Sequence, residues 1–250
     1  MLFGFFSRIN YISVLNLYTK KKGVLQKIKK NITNNTSEKI FFGENYNYEK
    51  NTNGFYYHDD LGKMNLPLPN LSGDFQISNV STAIATARKL DKFKIADSHI
   101  KEAIIKIRSE GRLQNITQGK LRNYVSKNNQ ILIDGAHNPL AASAIEKYLG
   151  TLNSKRKIIM LLGMMANKEH KKFIQMFKNR VHSIIALDIP NQENFIEKVK
   201  LSKVARSCGI PSKTENSIRS ALKNISEENE NAIIFCTGSL YFAGEILNLN

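Results

Sequence analysis

Ile131-Leu132-Ile133-Asp134-Gly135-Ala136-His137-Asn138-Pro139 is the stretch from which the rest of the chain can be read. It opens as a short apolar run of β-branched character that stops on a carboxylate, the pattern of a buried strand ending in a polar site. Gly135 and Ala136 leave room for a tight turn, Asn138 can cap a helix, and Pro139 suits the first helical position, where a missing N–H costs nothing. Leu140, Ala141, Ala144, Ile145, Tyr148 and Leu149 then share one face at three- and four-residue spacing, and Gly150 is expected to stop the helix. Asp134 and His137 thus lie at the carboxyl end of a strand beside a helix N-terminus. In open α/β sheets ligands bind at that edge, and a helix N-terminus favours anions.

The same alternation continues on either side. Strands are expected at about Leu121–Ser126, Gln130–Asp134, Lys157–Gly163, Ser183–Asp188 and Ala232–Cys236. Helices are expected at about Pro139–Leu149, Glu169–Asn179, Gln192–Ser207, Ser217–Glu227 and Tyr241–Leu247. This predicts an α/β, doubly wound, mostly parallel sheet. Asp134, Gly163-Met164, Asp188 and Thr237-Gly238-Ser239 all come where an apolar run stops, so one sheet edge gathers them.

Before a boundary placed near Glu110–Arg112 the character differs. Helices are expected over Val80–Leu90 and Asp97–Arg108, joined by Asp91–Lys94. Ahead of them KIFFGENYNYEKNTNGFYYHDDLGKMNLPLP reads as all-β, with Asn53-Gly54 as a hairpin signal, Phe55 and Tyr57 on the returning strand, and Pro67 and Pro69 ending the run. Val24, Leu25 and Ile28 suggest a basic amphipathic helix over Gly23–Asn31, followed by an Asn/Thr-rich loop. Residues 1–22 receive no assignment, although Tyr11–Leu17 has strand character.

At 250 residues and 42% hydrophobic the chain can bury a sizeable core in one large or two small domains. Thirty-seven Lys and Arg against 21 Asp and Glu give a formal charge of +16. A charge of that size invites a nucleic-acid or membrane-surface reading. The lysines, however, are spread through helices and turns, dense only at 20–22 and 27–30, and no aromatic RNP-like string accompanies them. Neither nucleic acid nor a membrane is therefore expected as a partner. The first 18 residues are broken by Arg8 and have neither a charged leading region nor a cleavage site. Cys208 and Cys236 form no disulfide framework or metal spacing. A reducing, cytoplasmic location is the expectation.

Each candidate residue has a plainer role. Asp134 could cap its own turn, His137 could be a loop histidine, Asp188 before Ile189-Pro190 reads as a turn residue, Ser239 as a helix N-cap, and Met164-Met165 as packing. Asp134, His137 and Ser239 are the residue types of a hydrolytic triad, but no Gly-x-Ser-x-Gly elbow is present and the Asp and His are only three residues apart. No Gly-x-Gly-x-x-Gly follows a strand, so a dinucleotide site is excluded as well.

Five segments occur in a telling order: GDFQISN before an Ala-rich helix, GRLQ, ILIDGAHNP, LLGMMANKEH and CTGSLYFAGEIL. In order and approximate spacing they resemble folylpolyglutamate synthase/dihydrofolate synthase of the Mur ligase superfamily, over roughly residues 38–250, with DGAHNP the most specific part. The resemblance implies a Mur-ligase-like carboxy-terminal domain over 111–250, preceded over 1–110 by the tail of the central ATPase domain. It implies an ATP-dependent ligase of folate biosynthesis. Such a ligase joins L-glutamate to dihydropteroate or to the terminal glutamate of a reduced folate, through an acyl phosphate shielded from water where two domains close.

Carried over residue by residue, Asn79 would contact ATP, Arg112 would reach its phosphates as a forked donor, and Asp134 would hold the nucleotide. His137 would lie at the phosphates or the incoming glutamate, and Ser239 would help bind the glutamate. Catalysis would then fall to His137 and Arg112. The chain departs from the family in having Phe75 where His is usual, and Asn167 and Glu169 where Asp is usual. It also contains no Gly-x-x-x-x-Gly-Lys-Ser/Thr phosphate loop. The ligands of Mg2+ are expected in an amino-terminal half outside these residues, and this chain alone is not expected to turn over ATP. The alternatives are another Mur-type acid–amino-acid ligase, or a non-catalytic basic binding module.

Overall fold

The computed structural model describes residues 12–15, 38–90, 93–152 and 155–250. The helix expected over 23–31 and its following loop lie outside these residues, as do parts of the 91–94 connector and of the unassigned amino terminus. The chain divides between Arg108 and Ser109 into two compact units. Among the described residues no helix is long and apolar enough to cross a membrane.

In the first unit β1 (Ile12–Leu15) pairs in parallel with β2 (Glu38–Phe41). An antiparallel meander follows, β3 (Tyr46–Lys50), β4 (Gly54–Asp59) and β5 (Gly62–Pro67), then helices α1 (Phe75–Arg88) and α2 (Asp97–Lys106). Period-two positions Phe55 and Tyr57 on β4, and Met64 and Leu66 on β5, meet Ile77, Val80 and Ile84 of α1 and Ile100 and Ile104 of α2 in one buried cluster. The Asn53-Gly54 hairpin is present. Its glycine is required not for a left-handed turn but for close approach, because a Cβ there would lie 2.0 Å from the Leu66 carbonyl oxygen on β5. Helix α1 begins at Phe75, five residues earlier than the Ala-rich run suggested, and ends at Arg88.

Arg88 ties this unit together. Its Nε donates to Asp59 Oδ2 at 2.9 Å and Nη2 to Oδ1 at 3.3 Å, Nη1 reaches Asp97 Oδ1 at 3.1 Å, and the Tyr57 hydroxyl donates to the same Asp59 at 3.0 Å. Burial, then the Asp59 charge, push the Tyr57 phenol up, so it stays a donor. Tyr46, bonded to Thr82, is likewise pushed up to about 12, chiefly by burial.

The second unit holds a six-stranded sheet in the order β10-β9-β8-β11-β7-β6, parallel except for the β6 edge. In chain order its elements are β6 (Gln114–Asn115), a 3-10 helix (Lys120–Tyr124), β7 (Gln130–Ile133), α3 (Pro139–Thr151), β8 (Ile158–Leu162) and α4 (His170–Gln175). They continue with β9 (Ser183–Ala186), α5 (Lys198–Ser207), β10 (Ser212–Thr214), α6 (Ile218–Glu228), β11 (Ile233–Thr237) and α7 (Leu240–Leu247). Every residue of β8 and β11 is buried, as central parallel strands require. Ile131, Ile133, Ile159, Leu161, Ile234 and Cys236 share a core with α6 and α7. On the opposite face Phe235 meets Phe177, just after α4, with ring centroids 6.0 Å apart. The sheet is covered on both sides, the doubly wound α/β arrangement read from the sequence.

Several elements differ from expectation. Leu121–Ser126 is not a strand but a 3-10 turn, because the carboxy-terminal Asn250 captures the N–H groups of Lys120 and Leu121, and the Arg122 guanidinium takes the carbonyls of Ser126, Lys127 and Asn129. Gly150 does not stop α3, which runs to Thr151. Helix α5 starts at Lys198 rather than Gln192. Residues 194–196 pair instead with the loop after β8, through Ala166 N–H to Asn194 O and Ile196 N–H to Met164 O. The short edge strands β6 and β10 have no counterpart among the expected elements.

Breaking the buried Arg88–Asp59 pair leaves a carboxylate without its cation. Arg88→Met should cost about 3 kcal/mol in urea unfolding of this unit. Lys50→Ala, which removes an exposed pair with Asp74, should cost under about 1 kcal/mol.

Candidate active-site edge

The last strand in sequence, β11, lies between β7 and β8. The segments following all three strands therefore lie side by side. The Asp134 amide donates to Cys236 O at 2.9 Å, Gly238 N–H to Ala136 O at 2.9 Å, and Gly163 N–H to Thr237 O at 3.2 Å. Two glycines permit this crowding. A Cβ on Gly135 would lie 2.1 Å from Leu240, and one on Gly238, at φ +112°, would lie 2.5 Å from the Gly163 carbonyl oxygen.

The helix starts follow the sequence reading. Asn138 accepts the Ala141 N–H at 3.0 Å with Pro139 in the first turn of α3, and Ser239 accepts the Tyr241 N–H at 3.1 Å at the start of α7. Ser239 is buried and keeps its own O–H to donate. Asp188 caps at a distance, accepting the Lys198 N–H of α5 at 2.7 Å. Met164 is wholly buried, as packing requires.

Asp134 is 2% exposed, and both its oxygens are engaged: Oδ1 accepts the Ala136 N–H at 2.7 Å and Oδ2 the Leu113 N–H at 2.9 Å. Burial pushes its carboxyl up to about 6, against the pull of these two amides and of Arg112. The segment it grips is twisted, with Gly111 at φ +63° and Leu113 at φ +46°. Gly111 O accepts the Gly135 N–H at 2.8 Å, and Gly111 N–H donates to Gln114 Oε1 at 2.9 Å. Half-buried Arg112 lies inside this buckle.

Burial holds the His137 imidazolium below its usual range, with the charges of Lys168 and Arg112 acting in the same direction. Its Nδ1–H donates to the Gly135 carbonyl at 3.2 Å, leaving Nε2 as an acceptor. The positive charges of Arg112 and Lys168 are thus both felt at His137, which precedes the capped α3 N-terminus, an arrangement suited to an anion. Lys168 was not singled out from the sequence, although it lies within LLGMMANKEH. Its loop is pinned by the His170 ring, which bonds the Met165 carbonyl through Nε2 at 2.9 Å.

Asn79 belongs to the first unit, where its Nδ2 donates to Gln76 Oε1 at 2.9 Å. Gln76 is buried, with its Nε2 lacking a partner among the described residues. Among the described residues no group of three or more His, Cys, Asp or Glu side chains could hold a metal ion. Cys236 and Cys208 are buried free thiols.

A carboxyl whose folded pKa lies above its unfolded one contributes its full stability when protonated, below about 4, and loses it as pH rises through the folded value of about 6. Relative to Asp134→Asn, the wild-type chain should lose stability between about pH 4 and 6, by at most about 1.4 kcal/mol per pH unit. Thermal unfolding of both proteins across that range checks this, and a flat difference would contradict it.

Comparison with known proteins adds to this geometry. Residues 116–249 match the family model described as dihydrofolate synthetase, C-terminal domain. The chain is 26% identical over 138 residues to the dihydrofolate synthase/folylpolyglutamate synthase of Buchnera aphidicola, covering 55% of this chain and 30% of that protein. It is 24% identical over 204 residues to the dihydrofolate synthetase of Saccharomyces cerevisiae, covering 76% of this chain and 46% of that protein. Among solved structures it is similar to E. coli FolC in complex with DHPP and ADP, at TM-score 0.74 and 18% identity over 90% of this chain and 50% of that one. It is similar also to Mycobacterium tuberculosis folylpolyglutamate synthase complexed with ADP and AMPPCP, at TM-score 0.74 and 17% identity over 95% of this chain and 55% of that one. The chain therefore spans about half the length of the proteins it matches or less. On the match of more than half of its residues to that model, the chain belongs to the dihydrofolate synthetase family.

Proposed function

We propose that the chain forms part of an ATP-dependent ligase that joins L-glutamate to dihydropteroate, to a folylpolyglutamate, or to both. The single observation that carries this reading is that the charges of Arg112 and Lys168 both act on His137 beside the α3 N-terminus, in a chain of this family. Relatives support the substrates: the E. coli enzyme was solved with DHPP and ADP, and a Yersinia pestis relative with Mn, AMPPNP and L-glutamate.

In the proposed reaction the acceptor carboxylate takes the γ-phosphoryl group of ATP and releases ADP. The glutamate amine then attacks the acyl carbon, an amide bond forms, and inorganic phosphate leaves. Arg112 would hold phosphate oxygens through its forked guanidinium, and the N–H groups at the start of α3 would add partial positive charge. Neutral His137, with Nε2 free, would accept the proton that the glutamate ammonium must lose before attack. Lys168 and the Ser239 hydroxyl would bind glutamate carboxylates. Asp134 would belong to the nucleotide site through the same edge, and Asn79 would contact the nucleotide from the first unit, read as the end of an ATPase domain. The described residues provide no donor set for the divalent ion seen in such relatives, so no step is assigned to a metal here.

The test is ligation of glutamate to dihydropteroate and to tetrahydrofolate, followed by ADP release, with the chain alone and with a separately expressed amino-terminal half of a related ligase. Activity is expected only in the mixture, because no phosphate loop is present in this sequence. Arg112→Ala should lower kcat/KM about 100-fold or more. His137→Ala should abolish the acid limb of the pH–rate profile, which in the wild type should fall below the ordinary histidine range because burial favours the neutral ring. Activity of the chain alone would refute the need for a phosphate loop, and no ligation in the mixture would refute the assignment.

A further inference from the structure

The buried carboxylate of Asp134 does more than close an Asx turn onto Ala136. Ordinary strand-to-helix turns are held by backbone bonds and an N-cap, and Asn138 already supplies the cap of α3. Asp134 instead spends one oxygen on a residue 21 positions earlier in the chain, Leu113. Leu113 has a left-handed backbone, which for a residue with a Cβ costs about 1–2 kcal/mol, and it is 1% exposed, so its N–H has no solvent to turn to. Something must hold it. The fixed neighbours of Arg112 are then complete: Leu113 N–H on Asp134, Gly111 O on Gly135 N–H, and Gly111 N–H on Gln114.

We propose that Asp134 is the positioning residue for Arg112: by accepting the Leu113 and Ala136 amides on separate oxygens, it locks residues 111–114 into the left-handed buckle that presents the Arg112 guanidinium at the sheet edge. The functional part of this inference rests on the proposed role of Arg112 at phosphates, and the geometric part does not. Only a carboxylate satisfies both amides. An asparagine has one acceptor oxygen, so one of the two backbone donors would face its NH2, donor against donor. The charge also matters at a distance, since a buried anion next to Arg112 favours the guanidinium staying near the turn rather than swinging into water. The cost to stability noted above is consistent with a group retained for placement.

Two readouts on the full chain separate the geometric claim from the functional one. In 15N-labelled protein the Leu113 amide of Asp134→Asn, in a variant still folded by circular dichroism, should exchange about tenfold faster or more, and the Arg112 Nε–H resonance should shift and broaden. In wild type both signals should titrate together near the Asp134 midpoint. A variant that leaves the Leu113 and Arg112 signals unchanged overturns the proposal. If Asp134→Asn proves unfolded, Asp134→Glu and the wild-type titration carry the same decision.

The second readout is calorimetric binding of AMPPNP to wild type, Arg112→Ala, Asp134→Asn and the double variant. If Asp134 acts through Arg112, the double variant binds no more weakly than Arg112→Ala alone. Losses that multiply would show that Asp134 contributes independently of Arg112 and would overturn the proposal. Where wild type, which has no phosphate loop of its own, binds no AMPPNP, the Leu113 and Arg112 resonances decide the positioning role by themselves, and the ligase reading is decided by the mixture assay.

Discussion

The carboxylate of Asp134 joins two segments that the chain brings together from 21 residues apart. On one oxygen it holds the turn that leads to His137 and the capped start of α3; on the other it holds Leu113 in a backbone conformation that leucine disfavours. Without these two bonds the frame shared by Arg112 and His137 would rest on the Gly135–Gly111 backbone bond and the β6–β7 pairing. The carboxylate makes both bonds while desolvated, which is why its proton affinity rises.

The rest of the edge follows from the placement of β11. A strand order in which the last strand enters between β7 and β8 brings three strand ends into contact, and it leaves no room for side chains at Gly135 and Gly238. The helices that leave this edge start there because Asn138 and Ser239 take their first free N–H groups. Arg112 from before β6 and Lys168 from after β8 bring positive charge to His137, which comes from after β7. The histidine records the presence of both cations in its lowered proton affinity, although burial is the larger cause.

Much of this architecture was legible in local pattern. The β7–turn–α3 unit, the central strands and the ends of α6 and α7 were readable because apolar runs, caps and helical spacing are properties of neighbouring residues. Asp134, His137 and Ser239 could be ranked as candidates for the same reason. Two of the failures share one cause. Leu121–Ser126 had strand character, but Asn250 captured its amides from the other end of the chain; Gln192–Glu197 had helical spacing, but the loop after β8 claimed its backbone. In both places a distant hydrogen-bonding partner overrode local preference.

The sequence by itself determined the α/β alternation, the strand-end chemistry around DGAHNP, and the family pattern that the match over residues 116–249 bears out. Tertiary structure alone decided that Asp134 reaches back to Leu113 and that the charges of Lys168 and Arg112 are both felt at His137. Sequence spacing reports which residues are neighbours along the chain. Electrostatic coupling and buried hydrogen bonds depend on which are neighbours in space, and here that is set by the insertion of β11 between β7 and β8.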